Sequence, residues 1–191
     1  IEIKISNTLK CYSHKLKEDS SLIHQRQDNL YTVVIHPLNG QISSEDFKKI
    51  VKFMEENSNA EARLSTTESM YIRNLNEEQA EKLLQLTDKF RQKTKIEQSM
   101  SCVGIPTCQI GIEQSQNLVK NILEYIKANN IPEERLPSVY VSGCQNSCGR
   151  HQAGDIGFAG GKKRVEDKIE DVFDVYAGGI VSREKTVLGT R

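Results

Sequence analysis

Four cysteines in two close pairs constrain this chain more than any other feature. Cys102 and Cys108 bracket Val-Gly-Ile-Pro-Thr, and Cys144 and Cys148 bracket Gln-Asn-Ser. The pattern is C-x5-C, a long connection, then C-x3-C. A fifth, Cys11, stands alone and reads as incidental. An odd count, without a secretory signal, fits a metal or cluster site in a reducing compartment better than a disulfide framework. Two converging loops can supply four thiolates to a cubane iron–sulfur cluster, one to each iron. Zinc also accepts four thiolates, but its paired ligands usually lie about two to four residues apart, so the first pair matches it poorly. A nucleophilic Cys–His pair would leave three cysteines unexplained. The flanks suit a cluster. Gly104, Gly111, Gly143 and Gly149 allow close backbone approach and N–H groups aimed at sulfur, and Arg150 and His151 could offset negative charge.

Charge excludes two partner classes. Lys+Arg and Asp+Glu number 26 each, so the formal net charge is zero and neither nucleic acid nor an anionic membrane is expected. No apolar run approaches the roughly 18 residues that span a bilayer. The chain opens Ile1-Glu2-Ile3-Lys4-Ile5 and has no initiator Met. It reads as a piece of a longer cytoplasmic protein. Its 191 residues are enough for one sizeable domain or two small ones.

The pattern along the chain predicts an α+β protein. Residues 1–30 are polar and read as an N-terminal arm. Tyr31–His36 is a β-branched run, hence a buried strand, and Pro37-Leu-Asn-Gly40 turns the chain. Ser43 or Ser44 caps a helix with an apolar stripe of Phe47, Ile50, Val51 and Met54. Strands follow near 60–65 and 70–74. Asn76 then caps a helix from Glu77 to about Gln92, with Ala80, Leu83, Leu84, Thr87 and Phe90 facing inward. This order defines a ferredoxin-like βαββα half-domain over 31–95. A second α+β unit occupies 96–191. Its helix spans 113–128, with Leu118, Ile122 and Ile126 in step, and a strand at Ser138–Ser142 delivers the second cysteine pair. Further strands are predicted at Ile156–Phe158, Lys163–Ile169 and Val172–Ala177, with turns or bulges at Gly160-Gly161 and Gly178-Gly179.

The cysteine loops carry a family resemblance. Cys102-Val-Gly-Ile-Pro-Thr-Cys108-Gln-Ile-Gly-Ile-Glu-Gln-Ser and Val141-Ser-Gly-Cys144-Gln-Asn-Ser-Cys148-Gly-Arg-His151 resemble the cluster loops of siroheme-dependent nitrite and sulfite reductases. Leu22-Ile-His-Gln-Arg-Gln-Asp-Asn-Leu-Tyr31 and Arg63-Leu-Ser-Thr-Thr67 resemble the ferredoxin-like half-domain that precedes them. The likeness runs from about Ser21 to Gly179. Gln145 stands where Pro is common, Ser147 where Gly or Ala is frequent, and Thr67-Glu68-Ser69 where the family has Thr-Arg-Gln.

The resemblance implies an α+β nitrite/sulfite reductase 4Fe-4S domain behind the half-domain. It implies a [4Fe-4S] cluster on Cys102, Cys108, Cys144 and Cys148. Cys148 would bridge to siroheme as axial ligand, and Asn146 would contact siroheme. It makes the chain the cluster-bearing C-terminal half, C-terminally incomplete, of an enzyme for the six-electron reduction of sulfite to sulfide or nitrite to ammonia. Its partners would be the N-terminal half or a second copy, an electron donor such as ferredoxin, and a small anion. The isolated chain is expected to be inactive, and to show siroheme only with the partner half present or on self-association. Alternatives are a complete one-half-length sulfite reductase, a [4Fe-4S] electron-transfer module without siroheme, and, last, a zinc-stabilised domain.

Overall fold

The computed structural model describes residues 19–182 and 184–191, so Cys11 lies outside the described residues. In the first unit, β2 (Tyr31–Ile35) is the buried centre, with Val33 and Ile35 fully enclosed. It pairs antiparallel with β4 (Met70–Leu75), which pairs antiparallel with β3 (Glu61–Leu64). The stretch read as an arm contributes β1 (Leu22–His24), which closes the other edge of β2. Its short length and polar surroundings gave no alternating signal. Two helices cover one face. α1 (Ser44–Glu56) is capped by Ser43, whose Oγ accepts from the Asp46 N–H. α2 (Glu77–Thr87) carries a full capping box of Asn76 and Gln79.

The inward face of α1 differs from the expected stripe. Ile50 and Phe53 are buried with Asp46, whereas Phe47 and Val51 are exposed. The core takes Ile50 and Phe53, and Asp46 beside them is held by Ser43 and pairs with Lys49 and with Lys89 beyond α2, each at 2.9 Å. α2 ends at Thr87 rather than Gln92, where the Thr87 hydroxyl donates to the Leu83 carbonyl. Phe90 still packs on the core after the helix has stopped.

The second sheet runs β5 (Met100–Ser101), β6 (Val139–Ser142), β7 (Ile156–Val165), β8 (Lys168–Ala177). β5, β6 and β7 are parallel, and β8 returns antiparallel to β7. α3 (Ser115–Ala128) makes the crossover from β5 to β6 and buries Val119, Leu123 and Ile126 against the sheet. The segment predicted as one strand, 163–169, in fact contains a hairpin turn, with Glu166 in the left-handed region at φ 54°. Gly160-Gly161 is no turn: it lies inside β7 in unbroken register with Phe173 and Val172. The need for Gly160 is close approach, since a Cβ there would lie 2.5 Å from the Gly143 carbonyl oxygen. A small pair, β9 (Ile180–Val181) and β10 (Thr186–Val187), follows Gly178, whose φ of 85° makes the turn.

Candidate metal centre

The parallel pairing of β5 with β6 brings the cysteine pairs together. Ser101 lies opposite Val141, and the Cys102 N–H donates to the Val141 carbonyl at 3.0 Å. Both strands therefore end at the same edge of the sheet, and the loops that follow them emerge side by side. Cys102 opens the first loop. The second begins at Gly143 and carries Cys144 and Cys148.

Backbone bonds lock the two loops to each other. The N–H groups of Ile112 and Glu113 both donate to the Gly143 carbonyl at 2.9 Å. The Cys108 N–H donates to Gly104 at 2.8 Å, and the Ile105 N–H to Glu113 at 3.2 Å. Gly143 N–H donates to the Cys102 sulfur at 3.1 Å. The Cys102 sulfur also lies 3.3 Å from the Ser115 hydroxyl. Gly149 could carry no side chain, because a Cβ would collide with the Val141 carbonyl.

All four thiols and Asn146 line one cavity of about 560 Å³. The cavity sits at the junction of the two sheets. From the first unit come Leu64, Glu68, Ser69 and Met70; from the second come the cysteine loops and Gln116. Ser101 donates to the Asn39 side-chain oxygen at 3.0 Å and Gln41 to the Gln116 side-chain oxygen at 3.0 Å, tying the units beside it. Cys148 is exposed, whereas the other three thiols are half-buried. The mouth is apolar: Leu64 and Ile110 are 81% and 69% exposed on its rim.

Not every charged residue near the loops faces the cavity. Arg150 turns toward the junction, where its guanidinium meets Thr66 Oγ1 at 3.4 Å and Met100 Sδ at 3.1 Å and stacks over Tyr140. His151 is fully buried beneath Gly149, with Nδ1 3.0 Å from Ser142 Oγ and its ring against Tyr176. Burial holds its pKa below the usual imidazole range. Lys162 pairs with Asp171 on the hairpin.

Among the described residues, no lysine, arginine or histidine lines the cavity. Apart from the thiols, Glu68 is the ionisable group in the wall. Burial pushes its carboxyl up to about 7, against opposing pulls from a Ser101 backbone hydrogen bond and the Arg150 charge. Its Oε2 is buried without a partner. Glu113 is also raised, first by burial and then by Asp171.

These features fit an iron–sulfur cluster: four thiols lining one cavity, glycine-lined loops, and a backbone donor already aimed at one sulfur. Siroheme fits less well. The apolar rim suits a macrocycle face, but the described wall offers its carboxylates no cation. The structure brings the four expected thiols and Asn146 to one cavity with Glu68, which the sequence marks only as a departure from the family pattern. Ser115 carries no such mark, its place as first residue of a helix close behind Cys108 being the available signal.

A ferredoxin-like unit joined to a thiol-lined α+β unit defines a class, and comparison with known proteins specifies it. Residues 23–90 match the nitrite/sulfite reductase ferredoxin-like half domain, and 92–189 match the nitrite and sulphite reductase 4Fe-4S domain. The chain belongs to the nitrite/sulfite reductase family. It is 29% identical over 171 residues to the chloroplastic ferredoxin–nitrite reductase of Oryza sativa subsp. japonica, covering 86% of this chain and 28% of that protein. It is 25% identical over 152 residues to the sulfite reductase [NADPH] hemoprotein beta-component of Bacillus licheniformis, covering 73% and 25%. The fold matches the Mycobacterium tuberculosis NirA protein with a TM-score of 0.75 at 21% identity, over 93% of this chain and 34% of that one. The chain thus spans between a quarter and about a third of the length of these relatives.

Proposed function

We propose that this chain is the cluster-bearing part of a siroheme-dependent reductase that takes sulfite to sulfide or nitrite to ammonia. The single observation that carries the reading is the meeting of Cys102, Cys108, Cys144, Cys148 and Asn146 at one cavity. The four thiolates would hold a [4Fe-4S] cluster, which when bound supplies one-electron transfer. Cys148, exposed where the other three thiols are half-buried, would be the thiol that also reaches siroheme. Asn146 would contact the macrocycle. The loops orient the sulfurs, and the glycines would admit the cluster. The cations that meet siroheme's carboxylates would come from the rest of the enzyme, as would the anion site. An electron donor such as ferredoxin and the N-terminal half are the partners proposed.

Anaerobic reconstitution with iron and sulfide tests this reading. The expected product is a brown protein with four irons and matching acid-labile sulfide per chain and a [4Fe-4S] EPR signal after reduction. Zinc uptake without sulfide would sink the assignment. A second reading, an electron carrier without siroheme, is favoured by the cation-free wall. Absence of a siroheme Soret band with the missing half supplied would select it.

A further inference from the structure

Ser115 is fully buried at the start of α3, and its hydroxyl meets Cys102 twice. It donates to the Cys102 carbonyl at 2.7 Å while lying 3.3 Å from the Cys102 sulfur. A hydroxyl has one proton. With that proton on the carbonyl, the oxygen lone pairs face the sulfur and accept the thiol S–H. A cluster ligand has lost its S–H proton, so lone pair would then face thiolate. Rotation about the Ser115 Cβ–Oγ bond removes the repulsion and turns the O–H onto the sulfur. The Gly143 N–H, 3.1 Å from the same atom, is already a second donor. Among the described residues, no hydrogen bond reaches the sulfurs of Cys108, Cys144 or Cys148.

Hydrogen bonds to a ligating sulfur favour the reduced cluster, which carries one more negative charge, and so raise its reduction potential. We infer that Ser115 tunes the reduction potential of the cluster by donating to Cys102 Sγ. This rests on the cluster assignment above. Ser115 is a positioning residue: it acts through Cys102, with a hydroxyl that switches from carbonyl to sulfur as the cluster is loaded. No bond to iron changes, and no atom leaves the site.

The test is EPR-monitored potentiometry on the reconstituted 191-residue chain, with iron and sulfide analysed in each sample. Ser115→Ala should keep its iron and become harder to reduce. At a fixed potential its ratio of reduced to oxidised cluster should fall about tenfold, equivalent to about 59 mV for one electron. Ser115→Thr keeps the hydroxyl and should retain the wild-type potential. If Ser115→Ala fails to hold iron, Ser115→Cys against Ser115→Thr decides, because a thiol is the weaker donor and should give the lower potential. Equal potentials in wild type and the donor-deficient variant would overturn the role of Ser115 while leaving the cluster intact. A wild-type chain that forms no [4Fe-4S] cluster would overturn both readings.

Discussion

The backbone N–H of Gly143 donates to the sulfur of Cys102 across 3.1 Å, joining two residues 41 positions apart. This bond fixes the Cys102 thiol against the start of the second cysteine loop. A Cβ on Gly143 would lie 2.7 Å from the Glu113 carbonyl and 3.2 Å from the Gly104 Cα. Gly143→Ala should therefore push the loops apart, costing about 1–3 kcal/mol of stability. Thermal unfolding and iron content after reconstitution should both fall relative to wild type. Unchanged values would mean that the loops yield more easily than their packing implies.

Single Cys→Ser changes at positions 102, 108, 144 and 148 should each reduce bound iron and acid-labile sulfide. Cys11→Ser should leave both at the wild-type level. Chemical analysis of anaerobically reconstituted variants reads this directly. Full retention of four irons by any of the first four variants would remove that cysteine from the ligand set.

Glu68 makes stability fall with rising pH. Its carboxyl keeps a proton to about 7 in the folded chain, against an ordinary value of 4.5. Between those values the folded state binds more protons than the unfolded state, so stability declines as pH rises through the window. Because the group is partly exposed, solvent screening leaves an effect of about 1 kcal/mol. Urea midpoints at pH 5 and pH 8 should differ less in Glu68→Gln than in wild type, after allowance for the shared contributions of other groups.

His36 acts in the opposite sense. It is buried, its Nδ1 lies 2.8 Å from Ser69 Oγ, and burial lowers its pKa below the ordinary 6.5. The unfolded chain takes up a proton near 6.5 and the folded chain resists it, so this contribution is complete above that pH and is lost as pH falls below it. His36→Gln should be less stable at neutral pH yet lose less on acidification. Denaturant titrations at pH 7 and pH 5 separate the two effects.

Arg91 ties the beginning of the first unit to its end. Its side chain is 1% exposed and meets Asp19 at 2.7 Å, while a second bond of 2.7 Å reaches Ser21 Oγ. Arg91→Ala should cost about 1–3 kcal/mol, because it strips the buried Ser21 hydroxyl of its donor while Asp19, 25% exposed, turns to water. A smaller loss of denaturation free energy would show that water replaces the guanidinium.

Much of this architecture is written in local pattern. The β-branched run at Tyr31, the Asn76 cap and the valine-rich strand before Gly143 all announce themselves, because each satisfies a short-range rule. The cysteine spacing likewise marks the loops that now share a cavity. What stayed hidden depends on partners far away in the chain. Phe47 faces outward because the core of this unit takes Ile50 and Phe53 from α1 instead, a choice between two overlapping apolar stripes that periodicity alone does not make. β1 exists because β2 offers it an edge. Gly160-Gly161 looks like a turn until Gly143 is seen lying against it. Ser115 is an ordinary polar residue at a helix start until the crossover places it beneath Cys102.

The crossover between β5 and β6 also orders events in time. Its ligand loops become neighbours only after a parallel pairing that α3 must complete, and pairings of that kind form slowly. The four-thiol cage proposed above is therefore complete only once that pairing has formed, so cluster assembly and the folding of this unit are coupled.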